Sequence, residues 1–351
     1  MRIESALYER LDGKVRCLVC NHKCVIQEGE KGICRTRINQ GGKLYSTAYG
    51  IVMKEAVELI EEKPLFHFWP NSTTYSIGGC GCNFDCPWCQ GWSAMTDFLL
   101  SIVNPEDKTT WPVTPERVVE KISNLGVDSI TYCYNEPSIW FDLIHDTAKL
   151  AKEKGVGNIL VTNGYYSHEA LKEYSGLIDA VNIDIKAFTE EFYQEYLKAS
   201  LWLTLEMAKE TKLQGIHVEL TMLIIPTLND EMQDIRRFIA WVIDEMGPDT
   251  PVHFSRFFPK DSFSHLPPTP VAVLTQAWET AKEAGLHHVY IQNVPRVCND
   301  TLCPVCQAKV IGRSNLRVTE WHLDERSRCR KCGTKIPIIG GCTTANRFRE
   351  N

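Results

Sequence analysis

Short runs of apolar and β-branched residues alternate with longer segments of helical spacing through the middle of the chain. Seven runs read as strands, each closed by a polar loop, at 75–79, 129–134, 158–162, 180–185, 217–225, 252–257 and 288–292. Helix-start signals open three of the segments between them, at Thr114-Pro115-Glu116, Asn229-Asp230-Glu231 and Thr269-Pro270. The pattern predicts parallel strands joined by crossover helices.

Chemically useful side chains follow these strands, at Gly79 to Cys89, Asn135-Glu136-Pro137, Thr162-Asn163-Gly164, Asp184 to Lys186, Pro226 and Arg256. Barrels of the (β/α) type build their active sites at this rim. We therefore favour an α/β fold with a partial (β/α) TIM-type barrel of about six or seven parallel strands, rather than a doubly wound sheet. Three parts are expected: a cysteine-containing N-terminal module over 1–70, the barrel over 71–296, and a zinc-ribbon or rubredoxin-like module over 297–351.

Composition narrows the function classes. The 351 residues are 44% hydrophobic and 23% charged, which excludes a disordered chain. The net charge of −6 and the absence of long like-charge runs argue against nucleic-acid binding. The sequence contains neither an apolar stretch of membrane-spanning length nor a signal-peptide pattern. We expect a cytoplasmic protein without a membrane partner.

Fifteen cysteines change this picture, because most of them are clustered. In a reducing compartment, clustered thiols indicate metal binding. Cys82, Cys86 and Cys89 have the spacing C-x-x-x-C-x-x-C directly after the first strand. Three such thiolates can ligate three irons of a 4Fe-4S cluster and leave the fourth iron open. A zinc site with Cys80 as fourth ligand is the alternative.

This loop resembles that of the radical S-adenosylmethionine (SAM) superfamily. The resemblance implies that Cys82, Cys86 and Cys89 are the catalytic cluster ligands and that SAM chelates the open iron. It further implies reductive cleavage of SAM to a 5′-deoxyadenosyl radical, which abstracts a hydrogen atom from carbon. An electron donor of flavodoxin or ferredoxin type is then expected.

Other strand ends resemble SAM-binding elements of the same superfamily. Asn135-Glu136 is similar to the end of its Gly-Gly-Glu element, and Glu136 is implied to hold the SAM amino group. Asn163 lies in a T-N-G element, and Asp184 and Lys186 lie in a D-I-K element, as in pyruvate formate-lyase activating enzymes. Trp88 and His253 are implied to contact the SAM nucleoside. For each of them, packing in the core is the alternative.

Nearly the whole chain resembles the AmmeMemoRadiSam-system radical SAM enzymes, a branch related to those activators. The resemblance is carried by KVRCLVCNHKCVIQEGEKGICRTR, EKPLFHFWPNS, YNEPSIW, VTNGYYSHEALKEY, NIDIKAF and HFSRFFP. The chain departs from the branch at Cys80, at Gln90-Gly91-Trp92 and at Cys298. We read these departures as marks of a specialised member.

Two further cysteine sets lie near the ends of the chain. Two C-x-x-C knuckles predict a closed zinc or iron site, formed by Cys303, Cys306, Cys329 and Cys332. A less regular set near the N-terminus consists of Cys17, Cys20, Cys24 and Cys34. This set is either a second metal site or a group of reduced buried thiols. Cys133 and Cys342 have no partner by sequence and are expected to be small buried hydrophobes.

The leading functional hypothesis is a radical SAM enzyme that modifies a carbon centre of a protein or peptide. Cobalamin-dependent C-methylation is one form of this hypothesis, although the sequence contains no D-x-H-x-x-G cobalamin signature. A glycyl-radical enzyme activator is the second hypothesis. A non-catalytic metal-binding scaffold is the third, and the carboxylate of Glu136 and the amine of Lys186 argue against it.

Overall fold

The structure, a computed structural model, describes residues 2–89, 113–260, 263–295, 297 and 299–342. Two three-stranded antiparallel sheets form the N-terminal module, in the orders β1-β6-β5 and β2-β3-β4. Their strands are β1 (Ile3–Glu4), β2 (Tyr8–Leu11), β3 (Lys14–Cys17), β4 (Val25–Gln27), β5 (Arg37–Gln40) and β6 (Lys43–Ser46). Gln90-Gly91-Trp92 and Cys298, where the sequence departs from the branch, lie outside the described residues.

An eight-stranded sheet follows, with its strands in sequential order. The strands are β7 (Lys54–Leu59), β8 (Thr73–Gly78), β9 (Ser129–Tyr132), β10 (Gly157–Thr162), β11 (Ala180–Asp184), β12 (His217–Ile224), β13 (Val252–Arg256) and β14 (Val289–Gln292). Strands β8 to β14 are parallel, and β7 pairs antiparallel with β8. The predicted α/β fold of the partial (β/α) barrel type is confirmed. The strand β7 was not predicted.

Helices connect the parallel strands, as expected for right-handed crossovers. They are α1 (Pro115–Leu125), α2 (Phe141–Glu153), α3 (His168–Tyr174), α4 (Glu190–Phe192), α5 (Leu201–Leu213), α6 (Met232–Trp241) and α7 (Val271–Ala284). Thr114 caps α1 through its side chain, as predicted, and Gly126 ends it in the left-handed conformation. Thr269-Pro270 directly precedes α7, as predicted, but the Thr269 side chain does not cap this helix. Its hydroxyl donates to Ile224 O at 2.6 Å and accepts from the Phe257 amide at 2.9 Å.

The C-terminal module contains one antiparallel sheet, formed by β15 (Thr301–Leu302), β16 (Lys309–Ser314) and β17 (Arg317–Trp321). It docks on the segment that joins β7 to β8. The Ile339 amide donates to His67 O at 2.8 Å, and the Trp69 amide donates to Ile339 O at 2.9 Å. The His67 ring in turn bonds the Tyr290 hydroxyl near the beginning of β14. The C-terminal module therefore covers the end of the sheet opposite the predicted site.

The N-terminal module packs at the other end. Asn21 donates through its backbone amide to Tyr165 O and through its side chain to Tyr166 O, both at 3.0 Å. Both tyrosines lie in the loop after β10, so this module borders the carboxyl ends of the parallel strands. Within the described ranges, every helix is too short or too polar to cross a lipid bilayer.

Candidate active site

The loop that carries Cys82, Cys86 and Cys89 leaves the end of β8 and turns back on itself. The Cys89 amide donates to Cys86 O at 2.9 Å, and the Phe84 amide approaches the Cys82 sulfur at 3.4 Å. Gly81 has a φ of +84°, and a Cβ there would lie 2.5 Å from Thr36 Cγ2. Only glycine fits this close approach without strain, so the loop is pressed against the N-terminal module.

Asn135, after β9, holds this loop in place. Its side-chain oxygen accepts from the Gly79 amide at 2.9 Å, and its side-chain nitrogen donates to Gly81 O at 2.8 Å. The residue is 8% exposed. The sequence predicts a contact with SAM for Asn135. In the structure each end of its amide makes one hydrogen bond to the cysteine loop, and these two bonds hold the loop in place.

Glu136 is buried beside the loop and accepts three hydrogen bonds. The donors are the Ser138 amide at 3.0 Å, the Thr162 hydroxyl at 2.7 Å and the Asn163 amide at 2.8 Å. Burial raises the pKa of Glu136, whereas these hydrogen bonds lower it. The effect of burial is larger, so the pKa remains above its ordinary value. A carboxylate offers about four lone-pair positions, so one acceptor position is left for a cationic group. Its charge raises the pKa of Cys82, which shows that the two groups are close.

Asn163 connects the end of β10 to the same loop. Its side-chain nitrogen donates to Asn83 Oδ1 at 2.8 Å, and its side-chain oxygen accepts from the Tyr165 amide. Asn83 lies next to Cys82 and was not singled out from the sequence. No local pattern marks it, because its partners come from another strand end.

Asp184 ends β11, Lys186 follows it, and the two side chains form an ion pair of 2.8 Å. Burial lowers the pKa of Lys186, but Asp184 and the neighbouring Cys86 more than offset this, and the net shift is upward. The ammonium therefore stays charged and faces the cysteine loop. Burial raises the pKa of Cys86 to about 12, although Lys186 opposes the rise. Asn229, which we read from sequence only as a helix start, donates to Lys186 O at 2.7 Å and fixes this strand end.

The two predicted nucleoside contacts differ in their surroundings. Trp88 lies in the cysteine loop and packs against Phe192, with a ring-centroid distance of 5.4 Å. His253 is not brought to this group. It is the second residue of β13, fully buried, with Glu219 Oε2 at 2.7 Å and Gln292 Nε2 at 3.1 Å from its two ring nitrogens. These contacts are those of a structural core histidine.

The C-terminal knuckles bring four cysteine sulfurs close enough together to hold one ion. The Cys303 and Cys332 sulfurs are 3.5 Å apart, and those of Cys306 and Cys329 are 3.7 Å apart. A tetrahedral zinc with bonds of about 2.3 Å holds its sulfurs about 3.8 Å apart. All four sulfurs lie within 4.8 Å of one another, which fits one zinc or iron ion.

The Cys82, Cys86 and Cys89 thiols are spaced differently. In the described part of the chain, only the C-terminal set brings three or more His, Cys, Asp or Glu ligand atoms together closely enough for one ion. Wider spacing is what a cluster requires, since each thiolate binds a different iron. Burial also raises the pKa of Cys82 and Cys86, so these thiols need a cationic metal core to ionise at neutral pH. The donor set therefore fits an iron–sulfur cluster better than a single ion.

Comparison with known proteins agrees with this chemistry. Residues 76–239 match the model of the radical SAM superfamily. The chain is 42% identical over 339 residues to an uncharacterized protein of Methanocaldococcus jannaschii, covering 96% of this chain and 99% of that protein. A protein of the same organism that is named as a glycyl-radical enzyme activating enzyme is 25% identical over 243 residues, 64% of this chain and 89% of its own length. The pyruvate formate-lyase 1-activating enzyme of Escherichia coli strain K12 is 23% identical over 159 residues, 45% of this chain and 63% of that enzyme.

Proposed function

We propose, from the premise that this chain belongs to the radical SAM superfamily, that it abstracts hydrogen from a carbon centre of a protein or peptide. The observation that carries the proposal is the convergence of the three-thiol loop with Glu136 and Lys186 at the strand ends. A metal scaffold needs neither a buried carboxylate nor a partly buried ammonium beside its cluster ligands. Both groups have a purpose in an enzyme that holds SAM.

Each group has a role that follows from its charge. When bound, a 4Fe-4S cluster on Cys82, Cys86 and Cys89 supplies the electron that cleaves the SAM sulfonium. Lys186 offers a charged donor for the carboxylate of SAM, while Asp184 keeps it protonated. Glu136 offers its remaining acceptor position to the SAM amino group. Trp88 and its aromatic neighbours exclude water from this side of the loop.

The substrate class is proposed from the relatives. Two of them are named for the activation of enzymes, glycyl-radical enzymes in one case and pyruvate formate-lyase in the other. A protein or peptide substrate and a one-electron donor of ferredoxin or flavodoxin type are proposed on this basis. Glycyl-radical activation, in which one hydrogen is removed and nothing is added, is the second candidate, and the same names favour it.

SAM cleavage provides the first test. Protein reconstituted anaerobically with iron and sulfide is expected to convert SAM to 5′-deoxyadenosine under dithionite. Cys82→Ala, Cys86→Ala and Cys89→Ala should each abolish the conversion. Cys133→Ala is the matched control, because Cys133 is buried after the next strand and outside the cluster loop. Conversion that survives the loop substitutions would overturn the proposal.

The fate of the hydrogen separates the candidates. Incubation with deuterium-labelled protein fractions should place deuterium in 5′-deoxyadenosine. A glycyl-radical signal in electron paramagnetic resonance, without a change in substrate mass, would identify an activator. A substrate that gains one methyl group, together with corrin absorbance of the enzyme, would identify cobalamin-dependent methylation. 5′-Deoxyadenosine that acquires deuterium from no protein fraction would refute a protein substrate.

A further inference from the structure

The four cysteines near the N-terminus line one small cavity. Cys17 ends β3, Cys20 and Cys24 lie in the loop between β3 and β4, and Cys34 lies in the loop between β4 and β5. Three of them are buried and Cys24 is half-buried. All four line a cavity of about 10 Å³, about the room needed by one water molecule. The sequence left open whether this set binds metal.

The spacing of these thiols argues against a single ion. Four sulfurs on one tetrahedral ion lie about 3.8 Å apart and close completely around it. The sulfurs of the C-terminal set all lie within 4.8 Å of one another. Among the described residues, the sulfurs of the N-terminal set are not gathered this closely. A cluster holds its thiolates further apart because each binds its own iron. Iron–sulfur bonds are also shorter than van der Waals contacts, so a bonded cluster needs less free volume than its size implies.

A hydrogen-bond donor of the protein reaches one of these sulfurs. The Thr36 hydroxyl donates to the Cys34 sulfur at 3.3 Å. Donors of this kind stabilise metal-bound thiolates and adjust the potential of a cluster.

Two more donors at the cavity have no partner. The Nε atom of Arg37 and the Nδ2 atom of Asn83 are buried and lack a hydrogen bond, and both residues line the cavity. Buried donors are rarely left unsatisfied, because each costs about 1–3 kcal/mol. The guanidinium of Arg37 is 1% exposed and bonded to Asp142 at 3.0 Å on its other side. An anionic group in the cavity would satisfy both free donors.

We propose that Cys17, Cys20, Cys24 and Cys34 hold a second 4Fe-4S cluster, fully ligated by protein. Because all four irons are then occupied, this cluster cannot bind SAM. It would lie beside the catalytic loop, since the His22 ring bonds Asn83 O at 2.8 Å and Asn83 follows Cys82. The inference goes beyond the proposed function and does not depend on it.

The test removes the first cluster and measures the second. In the full-length Cys82→Ala/Cys86→Ala/Cys89→Ala variant, reconstituted anaerobically, we expect about four acid-labile sulfides per chain and a reduced 4Fe-4S signal in electron paramagnetic resonance. The C-terminal site contributes no sulfide, since it holds one ion. Adding Cys20→Ser and Cys24→Ser should remove both sulfide and signal, whereas adding Cys80→Ser, a buried control outside the set, should leave them.

Absence of sulfide from the three-alanine variant, with its circular dichroism and its C-terminal metal intact, overturns the proposal. One additional zinc or iron without sulfide overturns it as well, in favour of a single-ion site. Sulfide that persists after the serine substitutions also counts against it. None of these measurements uses SAM cleavage, so failure of the proposed function would be recognised separately.

Discussion

Replacing Asn135 by alanine removes both hydrogen bonds that hold the cysteine loop against β9. The Gly79 amide and the Gly81 carbonyl are buried and would lose their side-chain partner. Leaving a buried backbone group unsatisfied costs about 1–3 kcal/mol. The two unsatisfied groups together should destabilise the closed loop by about 2–6 kcal/mol relative to the open loop, because both groups can bond to water once the loop opens.

Hydrogen exchange reads this opening directly. A decrease of about 2 kcal/mol in the free energy of opening, the lower bound, is a factor of about 30 in exchange rate at the Gly79 amide. We therefore expect at least this increase in the peptide covering 78–82, with lower iron content and slower formation of 5′-deoxyadenosine. Mass spectrometry of exchange and a product assay on the same preparation provide the measurement.

Asn182→Ala is the matched control. Asn182 is also a buried asparagine with two side-chain hydrogen bonds, to Pro64 O at 2.8 Å and from the Thr221 hydroxyl at 2.9 Å. Its loss should lower global stability and leave exchange in the loop unchanged. If Asn135→Ala exchanges at the wild-type rate and cleaves SAM at the wild-type rate, the positioning role of Asn135 is refuted.

Three further outcomes are expected. Lys186→Met should weaken SAM binding in equilibrium dialysis by about 10- to 100-fold, the value of a charged hydrogen bond. Cys329→Ser should release the C-terminal metal, measured by metal analysis, and lower the thermal unfolding midpoint, because binding energy in such sites is folding energy. Burial lowers the pKa of His288 from 6.5 to about 4. The unfolded chain therefore binds the proton more tightly than the folded chain, and the stability present above pH 6.5 is lost as the pH falls toward 4. Urea titrations should show a decrease of about 2 kcal/mol in the free energy of unfolding between pH 7 and pH 5.

Each outcome has a control. Lys198→Met changes an exposed lysine outside the site and should leave SAM binding intact; equal weakening in both variants would contradict the role of Lys186. A Cys329→Ser protein with wild-type metal content and midpoint would contradict the single-ion site. His288→Gln should flatten the pH dependence, and an unchanged slope would contradict its assignment to His288.

The seven parallel strands could be predicted because they are buried along most of their length and are rich in apolar and β-branched residues. Strand β7 could not, since Lys54–Leu59 is a charged edge strand whose conformation is set by pairing with β8. Thr269 resembles a helix cap in sequence, but its hydroxyl is drawn to Ile224 and Phe257 across the sheet.

The site was predicted through its motif, and its supporting contacts were not. Asn135 was assigned to SAM because it precedes Glu136, yet its partners lie more than fifty residues earlier in the chain. His253 was predicted to contact the SAM nucleoside because it resembles a histidine of pyruvate formate-lyase activating enzymes. Its actual environment depends on Glu219, a buried carboxylate that binds His217, His253 and the backbone of the docking segment. No local sequence pattern predicts this arrangement, because its residues come from three separate elements.

The docking of the C-terminal module has a consequence for biosynthesis. The segment between β7 and β8 bonds to Ile339, so its backbone partners are synthesised some 270 residues after it. The sheet can form on the ribosome, but we expect the end covered by the C-terminal module to close only after this module has been synthesised and Cys329 and Cys332 have bound their ion. In a metal-starved cell we expect newly made chains to remain open at this end and to be removed by proteases. The supply of the structural ion then sets the abundance of the enzyme without touching its catalytic loop.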